Sequence, residues 1–153
     1  VLERCGSDGT GAKGWVVMGK GSSLSACNSS ARGNEMENVC VCYEAVAHFE
    51  RCVMDGSKRY GLVIVGTGTS RLSTGISAVT VEASSISGNR YFNVWACFGS
   101  TVKLVGCVCD SSSRGYGWYA QVQAIIGVDT TCTAEANARG SIKISSRGCV
   151  VHA

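Results

Sequence analysis

Six short apolar runs, each starting on hydrophobic residues and passing into alternation, punctuate the chain. They open as WVVMG at Trp15, VCVCY at Val39, LVIVG at Leu62, VWACF at Val94, WYAQV at Trp118 and IKISS at Ile142. Their starts lie 24, 23, 32, 24 and 24 residues apart. Between the runs stand Gly, Ser and Asn, which favour turns through φ freedom and local side-chain hydrogen bonds. A fixed period in the low twenties, built of strands and small-residue turns, is the pattern of a solenoid whose units cannot bury a face alone. The long interval holds TGTSRLSTGIS, 67–77, and is read as a turn lengthened by about eight residues, an insertion loops tolerate cheaply.

Period-2 alternation assigns the faces. In the first strand of each coil it points Val39, Val41 and Tyr43, Leu62 and Ile64, Val94, Ala96 and Phe98, and Trp118, Ala120 and Val122 inward. Glu44, Gln121 and Gln123 then point out. In the second strand Phe49, Val79, Val81, Leu104 and Ile126 point inward, with His48 and Lys103 facing solvent. An internal echo supports repetition independently: Asn38–Arg59 and Asn93–Arg114, offset by 55 positions, coincide at eight of 22 residues. The 55-residue offset is the sum of a 23-residue and the 32-residue interval. A two-sheet β-sandwich also has short strands at turn-punctuated spacing, but it gives no reason for that echo.

On SISGNRYFNV (Ser85–Val94), its weaker copy SARGNEMENV (Ser30–Val39), and the strand, Asn/Gly turn, strand cadence from about residue 15 to 151, the chain resembles the right-handed parallel β-helix of the pectate lyase-like superfamily. The resemblance implies an all-β, right-handed parallel β-helix of about six coils. It also implies polysaccharide lyases and hydrolases as relatives, with sites on the outside of the tube. Residues 1–14 read as a flexible Gly-rich arm and residues 15–153 as the coils.

Composition narrows the picture. Charged residues make up 16%, Pro is absent and Gly numbers 20, which disfavours a helical bundle. The net charge of +3 comes with no block of like charge, so no nucleic-acid partner is expected. No apolar run of 18 residues is present to span a bilayer as a helix, and residues 1–14 lack the apolar middle of a signal peptide. Ten cysteines leave two options open. Counted from the coil starts, Cys27, Cys52, Cys107 and Cys132 form a column, with Ala83 or Ser84 in the third coil. Stacked thiols can fill a corner as small hydrophobes. Neighbouring coils, ~4.8 Å apart, also lie within disulfide reach, as for Cys107 with Cys132. Side chains aligned in one direction disfavour the bridge torsion, so free thiols are the expectation. Localisation stays open, with free thiols and the missing leader leaning intracellular.

Candidate chemistry is sparse. Asp55, Asp110 and Glu135 fall in one column, and Asp110 with Glu135 would be neighbours able to serve paired-carboxylate sugar chemistry. The rival reading makes each a turn residue accepting backbone N–H bonds. Ile86 or Ser87 interrupts the column. Arg59 and Arg114 each follow an aspartate by four residues and could grip an anionic sugar or a partner carboxylate, or form exposed ion pairs of little energy. Asp55, Arg59, Asp110 and Arg114 together are the expected outer contact strip for a protein or glycan partner. Tyr91, Trp95, Tyr116 and Tyr119 could add a strip for sugar stacking or protein docking. Neither the lysyl or arginyl base nor the calcium cage of the lyases is visible, a departure that argues against catalysis.

No metal is expected: Cys40-x-Cys42 and Cys107-x-Cys109 have the wrong gap for zinc, and the two histidines, His48 and His152, stand apart. No GxSxG elbow occurs, GSDGTGAKG leads into a strand and so is no phosphate loop, and no cofactor is expected. Asn28-Ser29-Ser30 is an N-glycosylation triplet. Lacking polar caps, the coils are expected to belong to a longer array or to dock end to end with another chain. The expected function is a rigid scaffold or recognition surface without its own chemistry, the alternative a carbohydrate-active enzyme or glycan-binding unit using Asp110 with Glu135.

Overall fold

The computed structural model describes residues 1–67, 75–145 and 147–152. The part of the long turn between 68 and 74 lies outside the described residues. Among the described residues thirteen strands follow in order: β1 (Leu2–Glu3), β2 (Trp15–Met18), β3 (Ser23–Cys27), β4 (Glu37–Cys42), β5 (Val46–Glu50), β6 (Tyr60–Val65), β7 (Ala78–Glu82), β8 (Phe92–Cys97), β9 (Thr101–Val105), β10 (Trp118–Gln121), β11 (Ile125–Val128), β12 (Ile142–Ser145) and β13 (Cys149–His152). Odd-numbered strands form one seven-stranded sheet and even-numbered strands one six-stranded sheet, all pairs parallel. A third, minimal ladder closes each turn through the bridges Gly6, Ser30, Val53, Ser85, Val108 and Thr133. The protein is thus a parallel β-solenoid of about six coils.

The sequence period and the structural register coincide. Trp15, Val39, Leu62, Val94, Trp118 and Ile142, the six run starts, stand directly over one another. Inward residues of both sheets fill the tube: Val39, Val41, Leu62, Ile64, Phe49, Val81, Val94, Leu104 and Ile126 are buried. Met54, Ile86 and Cys109 complete the interior from the third side. At the last coil the inward Ile142 and Ile144 are exposed. Residues 1–14 lie along the coil that follows them: β1 pairs with β3, and Ser7 and Gly9 donate their amides to the carbonyls of Ser30 and Arg32.

Two inward assignments needed correction. Tyr43, Phe98 and Val122 are not core positions; Tyr43 is 54% exposed, and Phe98 and Val122 are half-buried. The strand stops one residue earlier because Tyr43, Phe98 and Val122 take φ of 56°, 55° and 49°, and this left-handed step turns the chain into the next sheet. The cysteine column is also displaced in the first coil. Ser29, not Cys27, stands with Cys52, Ser84, Cys107 and Cys132, because the β2–β3 turn is one residue longer than the β4–β5 and β8–β9 turns. Cys27 ends β3 on its outer face.

The 55-residue echo has a physical cause: the structural unit is a pair of coils. Gly14, Asn38, Gly61, Asn93 and Gly117 stack as an alternation of glycine and asparagine. Thr10, Asn34, Ser57, Asn89, Ser112 and Asn137 form a second alternating column. Their amides make one relay along the axis. Asn34 Nδ2 donates to Asn38 Oδ1 (2.8 Å), Asn38 Nδ2 to Asn89 Oδ1 (3.1 Å), Asn89 Nδ2 to Asn93 Oδ1 (3.0 Å) and Asn93 Nδ2 to Asn137 Oδ1 (2.9 Å). Asn34, Asn38, Asn89 and Asn93 are fully buried, so each amide needs these partners to offset its desolvation. Glycine in the intervening coil makes the room. A Cβ on Gly61 would stand 2.5 Å from both Asn89 Nδ2 and Ile86 Cγ2.

Candidate functional site

The predicted carboxylates do stack, and their hydrogen bonds show what they hold. Asp8, Arg32, Asp55, Ser87, Asp110 and Glu135 occupy successive steps of one turn. Each aspartate reaches forward to the next coil. Asp8 accepts from Ser30 Oγ (3.1 Å) and the Arg32 amide (2.9 Å). Asp55 accepts from Ser85 Oγ (2.9 Å) and the Ser87 amide (2.6 Å). Asp110 accepts from Thr133 Oγ1 (3.2 Å) and the amide of Glu135 itself. Asp110 and Glu135 are therefore neighbours as expected, with the Asp110 carboxylate hydrogen-bonded to the backbone of its supposed catalytic partner. Asp55 is separated from Asp110 by the Ser87 coil.

The arginines behave differently from the ordinary ion-pair expectation. Among the described residues the ion pairs are Lys13–Glu37 (3.3 Å), Lys20–Glu44 (3.8 Å), Arg51–Glu50 (2.8 Å) and Lys58–Glu35; Asp55–Arg59 and Asp110–Arg114 are not formed. Arg59 and Arg114 instead belong to a basic column. Ser57, Asn89, Ser112 and Asn137 stack, and Arg59, Arg90, Arg114 and Arg139 follow them by one or two residues on four successive coils. Arg59, Arg114 and Arg139 are exposed and Arg90 is half-buried. Sequence reasoning missed Arg90 and Arg139 because charge was counted along the chain, where they are dispersed.

Beside this column the even-numbered sheet turns an aromatic face outward. Tyr60 stacks on Phe92 (5.7 Å between ring centroids), Phe92 on Tyr116 (6.3 Å) and Trp95 on Tyr119 (6.3 Å), and Tyr91 tilts against Tyr60 (5.7 Å). Cations border the rings: Arg59 over Tyr60 (6.0 Å), Arg90 over Tyr91 (5.5 Å) and Lys143 over Tyr119 (4.7 Å). The four aromatics named from sequence are brought together here, joined by Tyr60 and Phe92. Stacking between coils spends much of their ring surface on one another, so the strip presents edges, hydroxyls and guanidinium groups more than open ring faces.

At the end of this face nearer β2, Lys13 Nζ lies 3.6 Å from Cys40 Sγ as well as beside Glu37. Burial pushes the Cys40 thiol up to about 11 and Cys97 to about 12, so neither is a nucleophile at neutral pH. All ten cysteines are free thiols. A separate open groove of about 500 Å³ gathers Arg4, Arg32 and Arg51. There Arg51 is committed to Glu50, Asn28 Oδ1 (3.0 Å) and Cys27 Sγ (3.2 Å). Among the described residues no group of three His, Cys, Asp or Glu could hold a metal, and no helix is long and apolar enough to cross a membrane. No protein-family model matches the chain, and no curated protein matches it.

Proposed function

We propose that the solenoid is a non-catalytic scaffold whose outer turn and aromatic strip recognise an anionic surface on a protein or glycan partner. The observation that carries this reading is the band Arg59, Arg90, Arg114 and Arg139, four cations on successive coils, none ion-paired to a carboxylate among the described residues. Guanidinium groups carried on coils ~4.8 Å apart, beside aromatic edges, suit carboxylate or sulfate groups through bidentate hydrogen bonds. Asp55 and Asp110, expected in the same strip, support it by fixing the turn on which the arginines stand. The catalytic alternative draws less support, since the Asp110 carboxylate is engaged by Thr133 and by the Glu135 amide. Kinship with the pectate lyase-like superfamily is part of the same proposal, supported by the parallel coils with three ladders.

The test is binding to immobilised acidic and neutral glycans and acidic peptides at low and physiological salt, with the wild type and an Arg59→Gln, Arg90→Gln, Arg114→Gln, Arg139→Gln variant. An anionic ligand that binds the wild type at least tenfold better than the variant supports the reading. Equal binding by both, or turnover of a glycan lost on Glu135→Gln, rejects it.

A further inference from the structure

The third ladder carries a second column one residue before its bridges: Cys5, Ser29, Cys52, Ser84, Cys107 and Cys132. Cysteine and serine alternate here with the same two-coil period as the buried amides. Each serine accepts the amide of the cysteine one coil earlier: Ser29 Oγ from Cys5 (3.1 Å) and Ser84 Oγ from Cys52 (2.9 Å). The last member breaks the rule. Cys132 stands where alternation sets serine, and its Sγ takes over the serine's role by accepting the Cys107 amide at 3.3 Å. Cys107 and Cys132 are therefore the one pair of thiols in this column on adjacent coils; the others are two coils apart, ~10 Å, beyond disulfide reach.

We propose that Cys107 and Cys132 are a disulfide-forming pair that staples the fourth coil to the fifth when the protein meets a low-molecular-weight disulfide. One ladder step separates their backbones, ~4.8 Å, inside the Cα range of a bridge. Cys107 is fully buried and its Sγ donates to the Val81 (3.3 Å) and Val105 (3.4 Å) carbonyls, so closing the bridge gives up these two weak bonds. Cys132 is half-buried and, of the two, is the thiol an oxidant meets first. Its thiolate attacks the small disulfide, forming a mixed disulfide and expelling one thiolate. The Cys107 thiolate then attacks Cys132 Sγ and expels the second. The two protons lost by the protein end on the two departing thiols, and the small disulfide is reduced by the two electrons the cysteines lose.

Asp129 guards the pair. Cys132 Sγ donates to Asp129 Oδ1 (3.1 Å), which favours the protonated thiol; burial and this carboxylate together push Cys132 up to about 11. The bridge should therefore form slowly at neutral pH and faster as pH rises.

The experiment incubates the folded protein with oxidised glutathione at pH 8.5, counts thiols after denaturation, and locates any bridge by tandem mass spectrometry. Apart from any glutathione adduct on exposed Cys149, the wild type should lose two thiols to a single Cys107–Cys132 link and gain a higher unfolding midpoint. Cys132→Ser restores the Ser29 and Ser84 arrangement, so it should fold with an unchanged circular dichroism spectrum and form no intramolecular link. Asp129→Asn should speed bridging severalfold. The proposal is overturned if the wild type forms no intramolecular link while its unfolded chain oxidises readily, if the link joins other cysteines, or if Cys132→Ser forms an intramolecular link as well.

Discussion

Replacing Asn93 by alanine should be among the most damaging single changes in this protein, although it removes no hydrophobic contact of note. Asn93 is fully buried. Its Nδ2 donates to the carbonyls of Cys109 (2.7 Å) and Asp110 (2.9 Å) and to Asn137 Oδ1 (2.9 Å), and its Oδ1 accepts from Asn89 Nδ2 (3.0 Å) and the Asn89 backbone amide (3.3 Å). Four of the five partners keep a second bond: Cys109 O to Asn137 Nδ2, Asp110 O to the Gly88 amide, Asn137 Oδ1 to the Ser112 amide and Asn89 Nδ2 to the Met54 carbonyl; the buried Asn89 amide loses its acceptor among the described residues. The cost is therefore four net hydrogen bonds at about 1 kcal/mol each plus one unsatisfied buried amide at about 1–3 kcal/mol, roughly 5–7 kcal/mol in all. Against a total stability of about 5–15 kcal/mol that is a large fraction. Asn93→Asp is a sharper probe. It keeps the shape but aims an acceptor at three acceptors, so at neutral pH it should cost more than alanine. Its folded-state pKa is raised by burial and by those oxygens. The variant is therefore least damaged below about pH 4 and loses stability as pH rises. Urea unfolding followed by circular dichroism at pH 4 and 7 reads both effects. An alanine cost under about 1 kcal/mol, or an aspartate milder than alanine at pH 7, would refute the relay.

Two further outcomes follow from the corners and the thiols. Ala83 turns the chain with φ of 47° at the corner where the next coil uses Gly106, so Ala83→Gly should raise stability by about 1 kcal/mol, read as an increased urea midpoint with unchanged slope. The buried thiols of Cys40, Cys97 and Cys109 are all pushed up by burial. Because their folded pKa exceeds the unfolded value, their contribution is complete below about pH 8.5 and is lost as pH rises, for Cys40 and Cys97 toward about 11 and about 12. Under reducing conditions, stability between pH 9 and 10 should fall by several kcal/mol, at about 1.4 kcal/mol per thiol per pH unit. A flat profile over that interval would contradict it.

The coil period and the inward strand positions were legible because they are properties of single strands. All six run starts share one column, and Phe49, Val81 and Leu104 are as buried as alternation demands. What failed failed at the corners: alternation has no term for the left-handed step that turns Tyr43, Phe98 and Val122 outward. Cys40 and Cys42 show a related limit. They point outward from β4 yet are 4% and 6% exposed. The relay was visible only as the 55-residue echo, since Asn38 meets Asn89 across 51 positions and no local rule links them. The basic column was hidden for the same reason, because a net charge of +3 says nothing about which cations the register stacks together.

That register is tested most directly by a double-mutant cycle between Asn38 and Asn89. In the two-coil stack Asn38 Nδ2 donates to Asn89 Oδ1 at 3.1 Å, so Asn38→Ala and Asn89→Ala should couple by about 0.5–3 kcal/mol in urea unfolding. Strict additivity would mean that these two asparagines do not meet, and that the paired-coil account of the fold is wrong.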